Sequence, residues 1–265
     1  MAFFRRIPKY FLLLLMLLLL PAPGAVALGV DVKTLVDQRL STDGTVLDLG
    51  GLRLGARGIK ALVEDERLDK VTTLLLQGNR IRSKGMQVLA QSPRLAHLEH
   101  LDLFGNFLGD RGVQALAASP HIKNLVSLKL WNNEVGEAGI RLLSESSNFS
   151  HLKTLLLSDN LITPEGAGFL AQSEGFGQLE VLSLFKNEIG DDGAVQLAEA
   201  KNLKQVSQLF VGQNNMTDRG AVALIQSTHF PSLKILDLSK NNLGNETVKA
   251  AFKHNRDKKK QIITR

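Results

Sequence analysis

The sequence predicts an α/β solenoid, a single stack of about eight 27-residue units in which a short strand is followed by a helix. Three columns of residues carry this expectation. An asparagine recurs at Asn79, Asn106, Asn133, Asn160, Asn187, Asn214 and Asn241, with Leu52 one step earlier as a degenerate first copy. A glycine lies six residues on from the first seven of these positions, from Gly58 through Gly85, Gly112, Gly139, Gly166 and Gly193 to Gly220. A leucine follows ten residues on, from Leu62 to Leu224. No insertion breaks the register, so each unit is one supersecondary element that buries its apolar face only against its neighbours.

Along the chain, residues 1–27 read as a secretory signal. Arg5, Arg6 and Lys9 precede an uncharged run from Tyr10 to Leu20, and Ala25-Val26-Ala27 gives a small-residue cleavage site. Pro21, Pro23 and Gly24 interrupt the run short of the roughly 20 apolar residues that a spanning helix needs. Residues 28–44 are expected to hold a capping helix, Asp31 to Leu40, with Asp31 as its cap and Leu35 facing inward. The repeats follow over 45–252. The last copy departs from the pattern, with Thr247 at the glycine position and Ala251 at the leucine position. Residues 253–265 are read as a basic tail, a solvated helix end or a frayed segment.

Within one unit, Leu98-x-x-Leu101-x-Leu103 alternates at period two, as a strand with one buried face should. The asparagine sits where the strand turns, and its amide can both donate to and accept from the backbone of an adjacent coil. A helix-capping residue comes next, such as Asp110, Asp191, Asp218 or the Thr163-Pro164 pair. The glycine is expected to let helix and strand approach closely, and the leucine four residues beyond it shares its helix face.

These residues resemble the leucine-rich repeat L-x-x-L-x-L-x-x-N-x-L. The continuation Asn187-Glu-Ile-Gly-Asp-Asp-Gly193 resembles the helical subtype of ribonuclease inhibitor and the Ran GTPase-activating protein. The resemblance covers about 45–252 and implies a right-handed arc, with parallel strands on the concave face and helices on the convex face. The catalytic arginine of the Ran GTPase-activating family has no matching motif here, and the fold hosts many unrelated functions.

Composition excludes several chemistries. The chain carries a formal charge of +6 and no cysteine, which removes disulfides, thiolate metal sites and cysteine nucleophiles. The positive charge is terminal: residues 1–27 carry +3 and residues 253–265 carry +5, which leaves the body at −2. A nucleic-acid partner is therefore not expected. His97 and His151 share one repeat position and His121 and His229 another, a scatter rather than a cluster. Neither a metal-binding His pair, a nucleophile elbow nor a phosphate-cradling loop is found, so no enzyme and no cofactor is expected. The Leu-Asp-Leu aspartates, Asp48, Asp102 and Asp237, read as solvated strand residues.

The candidate binding face comes from counting back along each strand. Two residues before the asparagine position lie Phe104, Trp131 and Phe185, and four before it lie Lys129, Leu156 and Phe210. The leucine core uses neither column. With strands about 4.8 Å apart, Trp131, Leu156, Phe185 and Phe210 are expected to form a continuous stripe, edged by Lys129 and Lys186. The expected function is an exported, periplasmic or extracellular, monomeric protein-binding module that uses its concave face. Regulation of a partner enzyme is the alternative, as is a membrane-tethered scaffold if residues 1–27 are retained. The mature chain is expected to begin at Leu28, and the intact mass of protein recovered from the exported fraction checks this. A membrane pellet still carrying Met1 or Ala2 is the opposing result.

Overall fold

The computed structural model describes residues 31–256 and 260–265, so the segment read as an export signal lies outside the described residues. Helix α1 (Val32–Arg39) opens the described chain. The Asp31 carboxylate accepts the Lys33 N–H at its start, and Leu35 and Val36 are buried against the first repeat. Eight strands then recur at 27-residue intervals: β1 (Val46–Asp48), β2 (Thr73–Leu75), β3 (His100–Asp102), β4 (Ser127–Lys129), β5 (Thr154–Leu156), β6 (Val181–Ser183), β7 (Gln208–Phe210) and β8 (Ile235–Asp237). Each is followed by a helix: α2 (Gly55–Leu62), α3 (Arg82–Ala90), α4 (Gly109–Ala117), α5 (Glu137–Glu145), α6 (Pro164–Gln172), α7 (Gly190–Ala198), α8 (Asp218–Gln226) and α9 (Asn245–Arg256).

All strands form one parallel sheet in sequence order. The register aligns the middle residues Leu47, Leu74, Leu101, Leu128, Leu155, Leu182, Leu209 and Leu236, each essentially inaccessible to solvent. Strands stack at about 4.8 Å, whereas packed helices need about 8–10 Å. The strand side of the stack is consequently the concave one. Between the layers lie the leucines together with Phe149, Phe176 and Phe230, three buried rings in the return loops that lead back to the sheet.

The asparagines hold successive turns together. Asn133 Oδ1 accepts the N–H groups of Asn106 (3.1 Å) and Leu108 (3.4 Å) in the preceding repeat. Its Nδ2 donates to the carbonyl oxygens of Leu103 (2.9 Å) and Trp131 (3.0 Å). Asn79, Asn106, Asn160 and Asn241 repeat the same arrangement. Asn187 and Asn214 donate likewise to carbonyls of the preceding repeat and accept one N–H each, from Ile162 (3.1 Å) and Ile189 (3.4 Å). The residue just before the asparagine position is left-handed in every repeat, so Asn132, Asp159, Lys186, Gln213 and Lys240 take the backbone that Gly51, Gly78 and Gly105 supply in the first three.

Three local expectations change. The glycine column separates helix from helix, not helix from strand. A Cβ on Gly193 would stand 3.0 Å from both Pro164 Cα and Ala167 Cβ of the preceding helix, and one on Gly220 would stand 3.0 Å from Asp191 Cα. The aspartates cap the next helix rather than their own. Asp110 accepts the Gly136 N–H (2.7 Å), Asp191 those of Thr217 (2.8 Å) and Gly220 (2.9 Å), and Asp218 those of Gly244 (2.8 Å) and Thr247 (3.1 Å). Thr163, by contrast, caps its own helix by accepting the Gly166 N–H. Finally, the segment read as a tail supplies a ninth strand, β9 (Gln261–Ile263), parallel to β8. Ile262 takes the leucine slot, and Asn255 at the end of α9 accepts its N–H at 3.0 Å.

Two stability predictions follow from these cross-repeat bonds. Asn133→Ala leaves the buried Asn106 and Leu108 N–H groups without partners, while the Leu103 and Trp131 carbonyls keep Asn106 Nδ2 and the Gly105 N–H. It should lower stability by about 3 kcal/mol, read as a lower urea midpoint at unchanged slope. An unmoved midpoint would show that water satisfies the turn. Burial acts to raise the Asp191 carboxyl, but hydrogen bonds from the Thr217 hydroxyl, the Thr217 N–H and the Gly220 N–H outweigh it, and its pKa is lowered overall. A carboxylate held below its unfolded value contributes stability above about pH 4, and that contribution is lost as pH falls through the folded value. The difference in urea midpoint between the wild type and Asp191→Asn should therefore be present at neutral pH and vanish under strong acid. A penalty that persists in acid would assign the effect to shape rather than charge.

Candidate protein-binding face

The concave surface is built from alternate strand residues, because the period-two geometry that sends Leu101 and Leu103 inward sends His100, Asp102 and Phe104 outward. Phe104 and Trp131 lie side by side there, with ring centroids 5.2 Å apart and planes tilted by 45°. Such tilted pairs are favoured by the ring quadrupoles. The Trp131 Nε1 is buried and has no hydrogen-bond partner among the described residues. Phe185 leans the other way, over Gly212, where an added Cβ would meet Phe185 Cδ2 and Cε2 at 2.8 Å. Gly212 thus gives the ring its seat, and Lys240 Nζ stands 5.6 Å above that ring's centre.

The expected continuous stripe is divided. Ser158 and Ser183, on neighbouring strands, share a hydrogen bond of 2.8 Å between their hydroxyls. That polar pair crosses the sheet face between the Phe104–Trp131 group and the Phe185–Phe210 group, with Leu156 beside Ser183 in the strand register. The face therefore offers two apolar patches rather than one. The lysines assigned to its edge are both engaged in ion pairs, Lys129 with Asp102 (3.1 Å) and Lys186 with Asp159 (2.8 Å). Half-exposed pairs of this kind contribute little to stability, so they are open to exchange with a partner's charges.

The aspartates of the Leu-Asp-Leu motif are more than solvated strand residues. Asp48, Asp102 and Asp237 each accept the N–H two residues on, from Gly50 (2.9 Å), Phe104 (3.0 Å) and Ser239 (2.8 Å), and so close the strand's exit. Sequence counting missed the outermost column of the same face, which adds Val181 and Ile235 in half-exposed positions on either side of Gln208, each diagonal to Phe210. Extending the period-two count by one step would have found them. His229 Nδ1 lies 3.1 Å from the Ala198 carbonyl oxygen. Among the described residues no three His, Asp or Glu side chains converge to hold a metal, and no helix is long and apolar enough to cross a membrane.

The family model for the leucine-rich repeat matches at residues 94–117, 150–171, 179–198 and 230–250, each match holding one strand and all or part of the helix that follows it. The chain is a leucine-rich repeat protein. Its fold is similar to that in a crystal structure of a TLR13–ssRNA13 complex, with a TM-score of 0.53 and 20% identity, over 89% of this chain and 30% of that one. This leucine-rich repeat chain thus spans about 30% of the length of that solved relative. No curated protein matches it in sequence. The leucine-rich repeat solenoid is an architecture suited to protein binding, since it presents one long, ordered sheet face held by a core that the ligand does not touch.

Proposed function

We propose that this protein is an exported, non-enzymatic binding module whose protein partner seats on the concave face. The observation that carries the reading is the set of large apolar side chains, Phe104, Trp131, Leu156, Phe185 and Phe210, at strand positions that the core does not require. Each is half-exposed, and the two patches they form are rimmed by ion pairs. Aromatic anchors surrounded by polar groups are the usual centre of an interface. The export signal of residues 1–27 supports an extracytoplasmic partner. The single-stranded RNA named with TLR13 does not transfer at 20% identity, and a body carrying −2 does not favour a polyanion on this face.

Photo-crosslinking tests the choice of face. With a photoreactive residue in place of Phe210, the exported chain should give an adduct with one partner protein. With the same group in place of Gln114, which is exposed on helix α4, it should give none. Trp131→Ala should weaken the captured complex by about tenfold or more while the thermal midpoint stays near wild type. Adducts from the Gln114 position alone would move the partner to the convex face. Unfolding of Trp131→Ala would make the ring pair part of the scaffold.

A further inference from the structure

The loops that leave the strands and enter the helices line up along one flank of the solenoid, and that flank is electrically divided. Over the five residues that follow the asparagine position, the first three repeats hold six bases, Arg53, Arg57, Arg80, Arg82, Lys84 and Arg111, and one acid, Asp110. The same positions in the next five repeats hold eight acids and one base, Arg219. All six bases are exposed, and none pairs with an acid among the described residues. The flank also carries two large exposed apolar side chains, Phe107 (46% exposed) and Leu161 (54%). Both directly follow a ladder asparagine, and they lie one repeat to either side of Asn133.

We propose that this flank joins two copies of the chain in a closed dimer, about a two-fold axis that passes through the fourth repeat from the concave to the convex side. Such an axis keeps each loop column facing itself and reverses the order of the repeats. The third repeat then meets the fifth of the second copy, the second meets the sixth, and the first meets the seventh. Phe107 falls on Leu161, Arg80 on Glu188, Lys84 on Asp192 and Arg111 on Glu165, each contact occurring twice. Reversal about that axis also carries an arc onto an arc of equal curvature, so the two flanks stay in contact along their length.

Like-charge contacts at two places oppose the arrangement. Glu134 and Glu137 meet their own copies near the axis, and Arg57 faces Arg219. The second is offset because Arg219 already holds Asp192 at 2.5 Å and Asp191 at 3.6 Å, which leaves that corner net negative. Both concave faces remain open and point the same way, so the dimer presents two binding faces side by side and stands independently of the partner proposed above. It replaces the monomer expected from the sequence.

Light-scattering mass of the full chain tests the proposal. In low salt, about 50 mM, the expected mass is about twice 29.0 kDa, and it should fall toward the monomer near 1 M salt, where charges are screened within about 3 Å. Arg80→Glu with Lys84→Glu should weaken the dimer at least about tenfold, and adding Glu188→Lys with Asp192→Lys should restore it. Phe107→Ser should weaken it without changing the thermal midpoint. Four results would overturn the proposal: a monomeric wild type at low salt, a dimer indifferent to charge reversal, a charge swap that fails to restore it, or assembly beyond two copies, which would mean an open head-to-tail contact. An unchanged circular dichroism spectrum shows that each variant is folded, so loss of the dimer reads on the contact itself.

Discussion

Each ladder asparagine ties two consecutive turns together with one side chain, accepting N–H groups from the turn before it and donating to carbonyls of that turn and of its own. The turns lie under the sheet's edge, where Asn79, Asn106, Asn133 and Asn214 have no solvent exposure. Backbone groups there have no water to bond, and each one left unpaired would cost about 1–3 kcal/mol. A carboxamide meets this need because it offers a donor and an acceptor on one planar group. An aspartate there would lack the donor, and a leucine, as at position 52, would satisfy neither. The bond spans one repeat, so it also fixes the register of each turn on the next.

The helix side meets a different demand. Helices are wider than strands, so stacking at the sheet's spacing forces the helix layer to fan out and requires small residues where neighbouring helices come closest. The glycine column supplies them, with Gly193 against Pro164 and Ala167, and Gly220 against Asp191 and Ala194. At the same contact an aspartate on one helix accepts N–H groups at the start of the next. Helix dipole and carboxylate are thereby joined across repeats. The last helix shows what happens when the series stops. Thr247 replaces the glycine and its N–H still bonds to Asp218, while Val248 and Phe252 stand exposed at positions whose counterparts Ala221 and Ile225 are buried one repeat earlier.

Because core and ladder are carried by the leucines and asparagines, the outward strand residues and the loop flank are free to vary. The concave face uses that freedom for rings seated by their neighbours, Trp131 on Phe104 and Phe185 over Gly212. The flank uses it for charge, basic where helices α2 and α3 begin without a capping side chain or a first-turn acid, and acidic from α5 onward, where every helix holds an acid in its first turn and α6 and α8 add a capping side chain. The two surfaces adjoin without overlapping, so one can take a partner while the other takes a second copy.

The sequence by itself determined the period, the strand-then-helix order, the buried leucines, the ladder asparagines and the side of the sheet that faces out. These follow from a repeat in burial along the chain, which is a one-dimensional signal. Only the tertiary structure decided what each side chain meets across the repeat boundary. Asp110, Asp191 and Asp218 look like caps of their own helices because capping is usually local, yet the neighbouring helix starts lie within reach of their carboxylates. The aromatic stripe looked continuous because column counting ignores rotamers, and Ser158 and Ser183 bond across it. Strand β9 was hidden because Gln261 follows Ile235 by 26 residues, off the 27-residue period and without an asparagine, inside a run of bases. Its place comes from the open edge of β8 and the exposed end of the core, both of which exist only once the preceding repeats have stacked.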